Sequence, residues 1–294
     1  MTTRTNQEPR ERRIELPGRG GVMAALEFGP TDRPIDVIFA HANGFNARTY
    51  CAMLEPLTTL RILAVDQRGH GFTELPTVTE GRTSWDDMVQ DHLALLDALD
   101  IDEVVLAGHS MGASVSLMAA GRAPKKVRSV VMFDPVILSR SMLKAAAEGE
   151  LTRSPIVAVA AKRRAIFPSR DAAFESYVGK GAFKTWPDNI LADYVAGGFK
   201  DRPDGQVELA CAPSWESSDF ASQLNDCWRA FADSHCPVSI LLGEKGSPAW
   251  LKADMPTVNQ DGRIGVQTIA GTTHFLPMER PDLVQAALLA ASAR

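Results

Sequence analysis

Residues 103–120 read EVVLAGHSMGASVSLMAA, and this stretch decides the fold. Its apolar start, residues 103–107, predicts a buried strand, and the small residues 113–120 predict a helix. Between them, Ser110 is the centre of a Gly-x-Ser-x-Gly pattern. The pattern arises by chance in about one chain in ten of this length, so the strand-to-helix setting carries the prediction.

A serine on a sharp turn between a strand and a helix is typical of a nucleophile elbow. The strained turn lifts the hydroxyl clear of the sheet and needs small neighbours, a condition that Gly108 and Gly112 meet. The helix that follows also favours negative charge at its N-terminus. A phosphate-binding loop is the alternative, but no lysine follows and the GxGxxG spacing is missing. We therefore predict Ser110 as an attacking nucleophile.

Outward from this stretch, short apolar runs alternate with segments of helical periodicity. Apolar runs separated by helices predict an α/β fold with a doubly wound, mostly parallel sheet covered on both faces. Residues 13–27 predict two short strands at an antiparallel edge. The predicted strands of the main series are 36–40, 61–65, 103–107, 127–133, 238–242 and 264–269, and the predicted helices are 50–57, 84–99, 113–120 and one that begins near 281.

The alternation of predicted strands and helices stops after Pro135, and no comparable series of strands follows until about residue 234. We interpret residues 136–234 as an inserted helical cap, and 1–135 with 235–294 as the core. The predicted helices of the cap are 141–148, 156–166, 171–179 and 188–196. The aromatic residues of the insertion suit either a small core of its own or the roof of an apolar pocket, and we expect most of them in the core. They are Phe167, Phe174, Tyr177, Phe183, Trp186, Tyr194, Phe199 and Trp215.

A serine hydroxyl needs an adjacent base to attack at neutral pH, and histidine suits that role. His274 lies in a loop between the last predicted strand and the final helix, which gives the chain order serine, acid, histidine. His92 on a helix and His235 near a strand start are interpreted as structural. His274 is therefore the predicted base.

With these landmarks the chain resembles the α/β-hydrolase fold family, in its serine-nucleophile, esterase- or lipase-like branch, over nearly its whole length. The segment 41–45, HANGF, matches the loop that supplies an oxyanion donor, which implies an oxyanion hole from the N–H groups of Asn43 and Met111. Because Ala42 replaces the usual glycine, the first donor is either Asn43 or Gly44. The segment 66–72, DQRGHGF, matches a turn of structural character, and the resemblance implies that His41 holds the loop.

The acid departs from the family pattern. Many relatives end the strand that corresponds to 238–242 in Gly-x-x-Asp, but this chain reads GEKG at 243–246. Some relatives take the acid from the end of the preceding strand, which is Asp134 here. Either origin is physically adequate because a triad is defined by geometry. We predict Asp134, with Glu244 as the alternative.

The predicted activity is hydrolysis of a carboxylic ester or related acyl bond of a small, partly apolar molecule through an acyl-enzyme. The sequence does not separate an esterase from a lactonase, a thioesterase or a carbon–carbon bond hydrolase. Epoxide hydrolases and haloalkane dehalogenases of this fold carry aspartate at the elbow, so Ser110 argues against both. A receptor that binds a small molecule without turnover is the alternative from another class.

Composition limits the partners. A net charge of −5 and a pI near 5.7 argue against nucleic acid, which needs concentrated Lys and Arg. The cysteines show no CxxC spacing and are expected to be reduced, and no cofactor or metal site is predicted. No signal peptide or membrane-length apolar run occurs, so we expect a cytoplasmic protein without a membrane partner. A homo-oligomer is left open.

Overall fold

The computed structural model describes residues 8–150 and 155–293. The strands of its main sheet are β1 (Arg10–Leu16), β2 (Gly21–Phe28), β3 (Val37–Ala40), β4 (Ile62–Val65), β5 (Val104–His109), β6 (Val127–Phe133), β10 (Val238–Lys245) and β11 (Ile264–Thr273). A second, small sheet consists of β7 (Ile166–Phe167), β8 (Phe199–Asp201) and β9 (Val207–Leu209). The segments 1–7, 151–154 and 294, which belong to the predicted core and cap, lie outside the described residues.

The helices surround the main sheet. They are α1 (Cys51–Leu54), α2 (Asp86–Ala98), α3 (Met111–Arg122), α4 (Arg140–Ala147), α5 (Pro155–Ala161), α6 (Arg170–Tyr177), α7 (Asp188–Gly198), α8 (Pro213–Ala221), α9 (Cys227–Asp233), α10 (Met255–Val258), α11 (Leu276–Glu279) and α12 (Pro281–Ser292). No helix in the described part of the chain is long and apolar enough to cross a bilayer.

The main sheet has the strand order β1-β2-β4-β3-β5-β6-β10-β11. β2 pairs antiparallel with β1 and β4, and the pairs from β4 through β11 are parallel. Side chains alternate across it, so that Val104 and Leu106 of β5 join the apolar core on one face while Val105 and Ala107 join the core on the other. The predicted doubly wound, mostly parallel α/β sheet is confirmed.

Several predicted boundaries were too short. β5, β10 and β11 extend two to four residues beyond the predicted strands because their ladders continue past the last apolar residue. The predicted helix 50–57 is instead a 3₁₀ turn, Ala47–Tyr50, followed by the single-turn helix α1. The side chain of Asn46 caps that turn by accepting the Thr49 N–H at 3.1 Å, which places the start earlier than hydrophobic periodicity suggests.

Residues 136–234, the predicted insertion and below called the inserted segment, contain short strands as well as helices. Four predicted helices correspond to α4–α7, but the prediction for 156–166 was wrong at its end, where Ile166 begins β7. A strand series comparable to the main one is absent from the described residues of this segment, as predicted, but β7, β9 and β8 form a small antiparallel sheet that was not predicted. Strands of two or three residues are too short for periodicity to reveal.

The start of helix α3 lies close to the sheet, and Gly112 makes this approach possible. A Cβ atom on Gly112 would meet the carbonyl oxygens of Ala40 and His41, the latter at 2.5 Å. A Cβ on Gly108 would lie 2.5 Å from the carbonyl carbon of Gly112. Real Cβ atoms do not tolerate such distances to backbone, so any larger residue would push α3 away from β3 and β5.

We expect Gly112→Ala to lower the free energy of unfolding by about 1–3 kcal/mol or more, because the methyl group would overlap two backbone carbonyls. Gly265→Ala, in β11, is the matched control because the nearest atom to its added Cβ is 4.0 Å away. Urea unfolding measures both variants, and midpoints are compared where the dependence of the unfolding free energy on urea concentration is unchanged. Equal midpoints for the two variants would contradict the close packing of α3.

Candidate active site

Ser110 lies at the junction of β5 and α3 in a strained backbone conformation. Its φ of 55° and ψ of −120° are rare for a residue with a side chain and cost about 1–3 kcal/mol. The Ser110 N–H donates to the Phe133 carbonyl at 3.0 Å, which extends the β5–β6 ladder by one step. The turn therefore holds the hydroxyl at the carboxyl ends of the parallel strands, where α/β proteins place their sites.

The structure brings Ser110, His274 and Asp134 together. His274 Nε2 lies 3.0 Å from Ser110 Oγ, and its Nδ1 lies 2.6 Å from Asp134 Oδ2. Asp134 is fully buried, and its second oxygen, Oδ1, accepts the N–H of Gly243 at 2.8 Å. Both carboxylate oxygens therefore have donors, and the aspartate has a fixed orientation toward the imidazole.

Glu244 occupies a different place. It belongs to β10, and its Oε2 accepts the N–H of Gly271 at 3.0 Å on the protein surface. The geometry thus places Asp134, and not the alternative Glu244, against Nδ1 of His274.

The loop 41–45 presents one free amide beside the serine. The Gly44 N–H donates to His70 Nε2 at 2.9 Å, and the Phe45 N–H donates to the Ala42 carbonyl at 3.1 Å. The Asn43 N–H has no acceptor among residues 8–150 and 155–293. Met111 is the first residue of α3, whose N–H likewise has no intrahelical acceptor. Of the two alternatives for the first oxyanion donor, the bond to His70 favours Asn43 over Gly44.

Two buried histidines hold this loop in place. His41 Nδ1 donates to the Ala42 carbonyl while its Nε2 accepts the Gln67 N–H, and His70 Nδ1 donates to the Arg68 carbonyl. Burial lowers the pKa of His70 to about 4 and the pKa of His41 well below its usual value. Both rings are therefore neutral at pH 7, which their acceptor nitrogens require.

A hydrogen-bonded chain that sequence reasoning missed links the loop to His274. Tyr50 accepts the Ala42 N–H at 3.1 Å, and its hydroxyl lies 2.8 Å from His109 Nδ1. His109 Nε2 lies 2.8 Å from the His274 carbonyl, which can only accept. His109 therefore carries its proton on Nε2 and accepts from Tyr50. Burial, together with nearby His274, lowers the pKa of His109 and keeps it neutral.

A cavity of about 590 Å³ opens beside Ser110. Asn43, Met111 and His274 line it with the serine, and the inserted segment supplies much of the remaining wall. Tyr177, Phe183, Tyr194 and Phe220 are the aromatic residues of this segment that line the cavity, and Phe183 and Tyr194 also belong to the buried core. The other buried aromatic residues of the segment do not line the cavity, and they are Phe167, Trp186, Phe199 and Trp215. The wall is mainly apolar, with the charged pair Arg163 and Glu216 as an exception.

No metal-binding chemistry is evident here. Within the described residues, no three His, Cys, Asp or Glu side chains converge as cation ligands. The four cysteines are buried and reduced, as expected, and they are Cys51, Cys211, Cys227 and Cys236.

The fold and this site define an enzyme of the α/β-hydrolase class. A profile of the alpha/beta hydrolase family matches residues 37–287, and the chain belongs to that family of hydrolases. It is 24% identical over 253 residues to 2-(acetamidomethylene)succinate hydrolase of Mesorhizobium japonicum, an alignment that covers 86% of each chain.

Two further similarities agree with this assignment. The chain is 33% identical over 124 residues to 2-hydroxy-6-oxo-2,4-heptadienoate hydrolase of Pseudomonas putida, which covers 41% of this chain and 44% of that one. The crystal structure of E-2-(acetamidomethylene)succinate hydrolase has the same fold, with a TM-score of 0.78 at 23% identity, covering 97% of this chain and 100% of that chain.

We expect Tyr50→Phe to cost about 1–3 kcal/mol of unfolding free energy, because the Ala42 N–H and His109 Nδ1 would both be buried without a partner. Tyr177→Phe is the matched control, since the Tyr177 hydroxyl lines the cavity and its bond to Arg163 is long at 3.4 Å. Thermal or urea unfolding measures both. A loss no greater than that of the control would show that the Tyr50–His109 chain does not stabilise the fold.

Proposed function

We propose that this chain is a serine hydrolase that cleaves a carboxylic ester or related acyl bond of a small, partly apolar molecule through an acyl-enzyme. The observation that carries the proposal is the continuous chain from Ser110 Oγ through His274 to Asp134, which opens on the cavity beside Asn43 and Met111. A hydroxyl, an imidazole and a buried carboxylate at these distances are suited to nucleophilic acyl transfer.

In the first half of the reaction, Ser110 Oγ attacks the carbonyl carbon and its proton passes to His274 Nε2. The Asn43 and Met111 N–H groups donate to the oxyanion that forms, and the buried Asp134 stabilises the imidazolium. The tetrahedral adduct then expels the alcohol, which takes the proton from Nε2. In the second half, His274 removes a proton from water and the hydroxide attacks the acyl carbon. The second tetrahedral adduct then releases the acid and expels Ser110 Oγ, which takes the proton back from His274 Nε2.

The same residues can act on lactones, thioesters or activated carbon–carbon bonds, because each gives a tetrahedral oxyanion at the same place. The relatives support hydrolysis of a carbonyl compound without selecting among these, since both names describe hydrolases of oxygen-rich carboxylates. An ester is the commonest substrate class for this constellation, and kcat/KM on p-nitrophenyl esters, lactones and thioesters ranks the classes.

We expect a fluorophosphonate probe to label the purified protein at Ser110, because only an activated serine attacks the phosphorus atom readily. Ser110→Ala should abolish labelling. Ser114→Ala, on the same helix with its hydroxyl bonded to the Val136 carbonyl, is the control and should retain it. Intact-mass spectrometry measures the adduct, and labelling that persists in Ser110→Ala would overturn the nucleophile assignment.

We expect Asp134→Asn to lower kcat severely, by analogy with about 10⁴-fold for the orienting acid of a serine protease. The amide oxygen can still accept the Gly243 N–H, but the NH₂ group would face Nδ1 and impose the wrong imidazole tautomer. Glu244→Gln should change kcat little, because its partner is the exposed Gly271 N–H. Steady-state kinetics on one ester compares the two, and the reverse ranking would move the acid to Glu244.

A further inference from the structure

Arg163 places a permanent positive charge in the wall of the cavity beside Ser110. Of the described residues that line it, Arg163 alone is an arginine or lysine, and the wall around it is largely apolar. The guanidinium of Arg163 also lies against the loop 41–45, since a Cβ on Gly44 would be 3.4 Å from Arg163 Nη1. A charge at this place is within reach of a substrate whose carbonyl oxygen occupies the neighbouring amide site.

Three side chains of the described residues accept hydrogen bonds from Arg163, and they do not use all of its donors. Its Nη1 donates to Glu216 Oε2 at 2.6 Å, and its Nη2 donates to the hydroxyls of Tyr194 at 3.0 Å and Tyr177 at 3.4 Å. A guanidinium has five N–H groups, so Nε–H and a second hydrogen on Nη1 remain. Neither has an acceptor within residues 8–150 and 155–293.

The two tyrosines add donors to the same cluster. Because each phenolic oxygen accepts from Arg163, its own hydrogen is left to donate, and the described part of the chain supplies no acceptor for either. Burial raises the pKa of Tyr194 to about 12, so its hydroxyl stays protonated near neutral pH. An anionic ligand can accept from several of these donors at once.

Glu216 explains how the cation is tolerated in an apolar wall. Burial alone would lower the pKa of Arg163, but Tyr194 and Glu216 outweigh that effect and the pKa is raised. The Glu216 carboxylate accepts from one Nη1 hydrogen and holds the guanidinium in place. The remaining Nε–H and Nη1 hydrogen lie on different edges of the guanidinium, so each can donate a single charge-assisted bond to an anion.

We propose that Arg163, Tyr177 and Tyr194 form a subsite for a carboxylate group of the substrate. The natural substrate then carries a carboxylate at one end and the bond that is cleaved at the other. This inference deepens the proposed function and rests on it, because the subsite shares its cavity with Ser110.

The first test compares matched substrates. The p-nitrophenyl half-esters of succinate, glutarate and adipate carry a free carboxylate, and their methyl diesters are neutral. We expect wild-type kcat/KM to favour the half-ester at the best length by about tenfold to a hundredfold, the value of a charged hydrogen-bonded contact. Arg163→Met should abolish this preference, mainly through KM, because it should lower kcat/KM for the half-ester by at least about tenfold more than for the neutral diester.

The controls separate binding from structure. Arg164→Met is the matched control, because Arg164 is exposed, donates to the Ile166 carbonyl and packs over the ring of Phe167. It should keep the preference. Arg163→Met/Glu216→Gln removes both charges, so it tests the subsite without leaving Glu216 unpaired. Tyr194→Phe should weaken the preference while hydrolysis of the diester continues. A wild type that prefers the diester, or an equal loss on both substrates in Arg163→Met and the double variant, would overturn the subsite.

A binding measurement keeps this inference distinct from the proposed reaction. In Ser110→Ala, calorimetry should detect glutarate more tightly bound than dimethyl glutarate, and the added Arg163→Met change should remove the difference. Glutarate binding in a protein that hydrolyses no ester would retain the subsite and refute the proposed activity. Ester hydrolysis with no glutarate preference in this assay would retain the activity and refute the subsite.

Discussion

The close approach of α3 to the sheet is the constraint on which the site depends. Backbone carbonyls of β3 and the loop after it occupy the space where a side chain at Gly112 would lie, and Gly108 is equally confined. Only with both positions empty can the chain turn sharply enough to give Ser110 its positive φ. The packing around the turn thus stabilises a strained conformation that an isolated peptide would not adopt. It also places Met111, the first residue of α3, in the wall of the same cavity as the serine.

Neutral, buried polar side chains behind the site hold His274 and the loop 41–45 in position beside Ser110. Tyr50 and His109 connect the loop that contains Asn43 to the backbone of His274, and His70 occupies the Gly44 amide. Charged groups at these depths would carry a large desolvation cost, whereas neutral imidazoles with defined tautomers satisfy both neighbours. Because the adjacent amides are already used, the same arrangement leaves the Asn43 N–H without an acceptor among the described residues, and this is the amide that the proposed reaction assigns to the oxyanion.

The local parts of this arrangement could be predicted from the sequence, and the long-range parts could not. The residues of the nucleophile elbow are neighbours in the sequence, and His274 follows directly after the last predicted strand. Sequence patterns could therefore predict both. Tyr50 and His109 are 59 residues apart, and nothing in either segment signals the contact. Arg163 stands in the run Lys162-Arg163-Arg164, which has the composition of a solvated surface, although Arg163 itself, between two exposed neighbours, is only partly exposed. The short strands of the insertion escape prediction because their stability comes from pairing, which periodicity does not report.

Helix α8 of the inserted segment is hydrogen-bonded to the core on the side that carries the loop 41–45. Trp215 of α8 donates from Nε1 to the Arg68 carbonyl and fills the space that a side chain at Gly69 would need. The Glu216 carbonyl accepts from the Asn43 side chain at 3.0 Å, and its carboxylate holds Arg163. One helix therefore contacts both the loop 41–45 and the cation in the cavity wall. Any displacement of α8 would alter the geometry of both together, so under the proposed mechanism the packing of α8 on the core would couple the carboxylate subsite to the oxyanion donor in that loop.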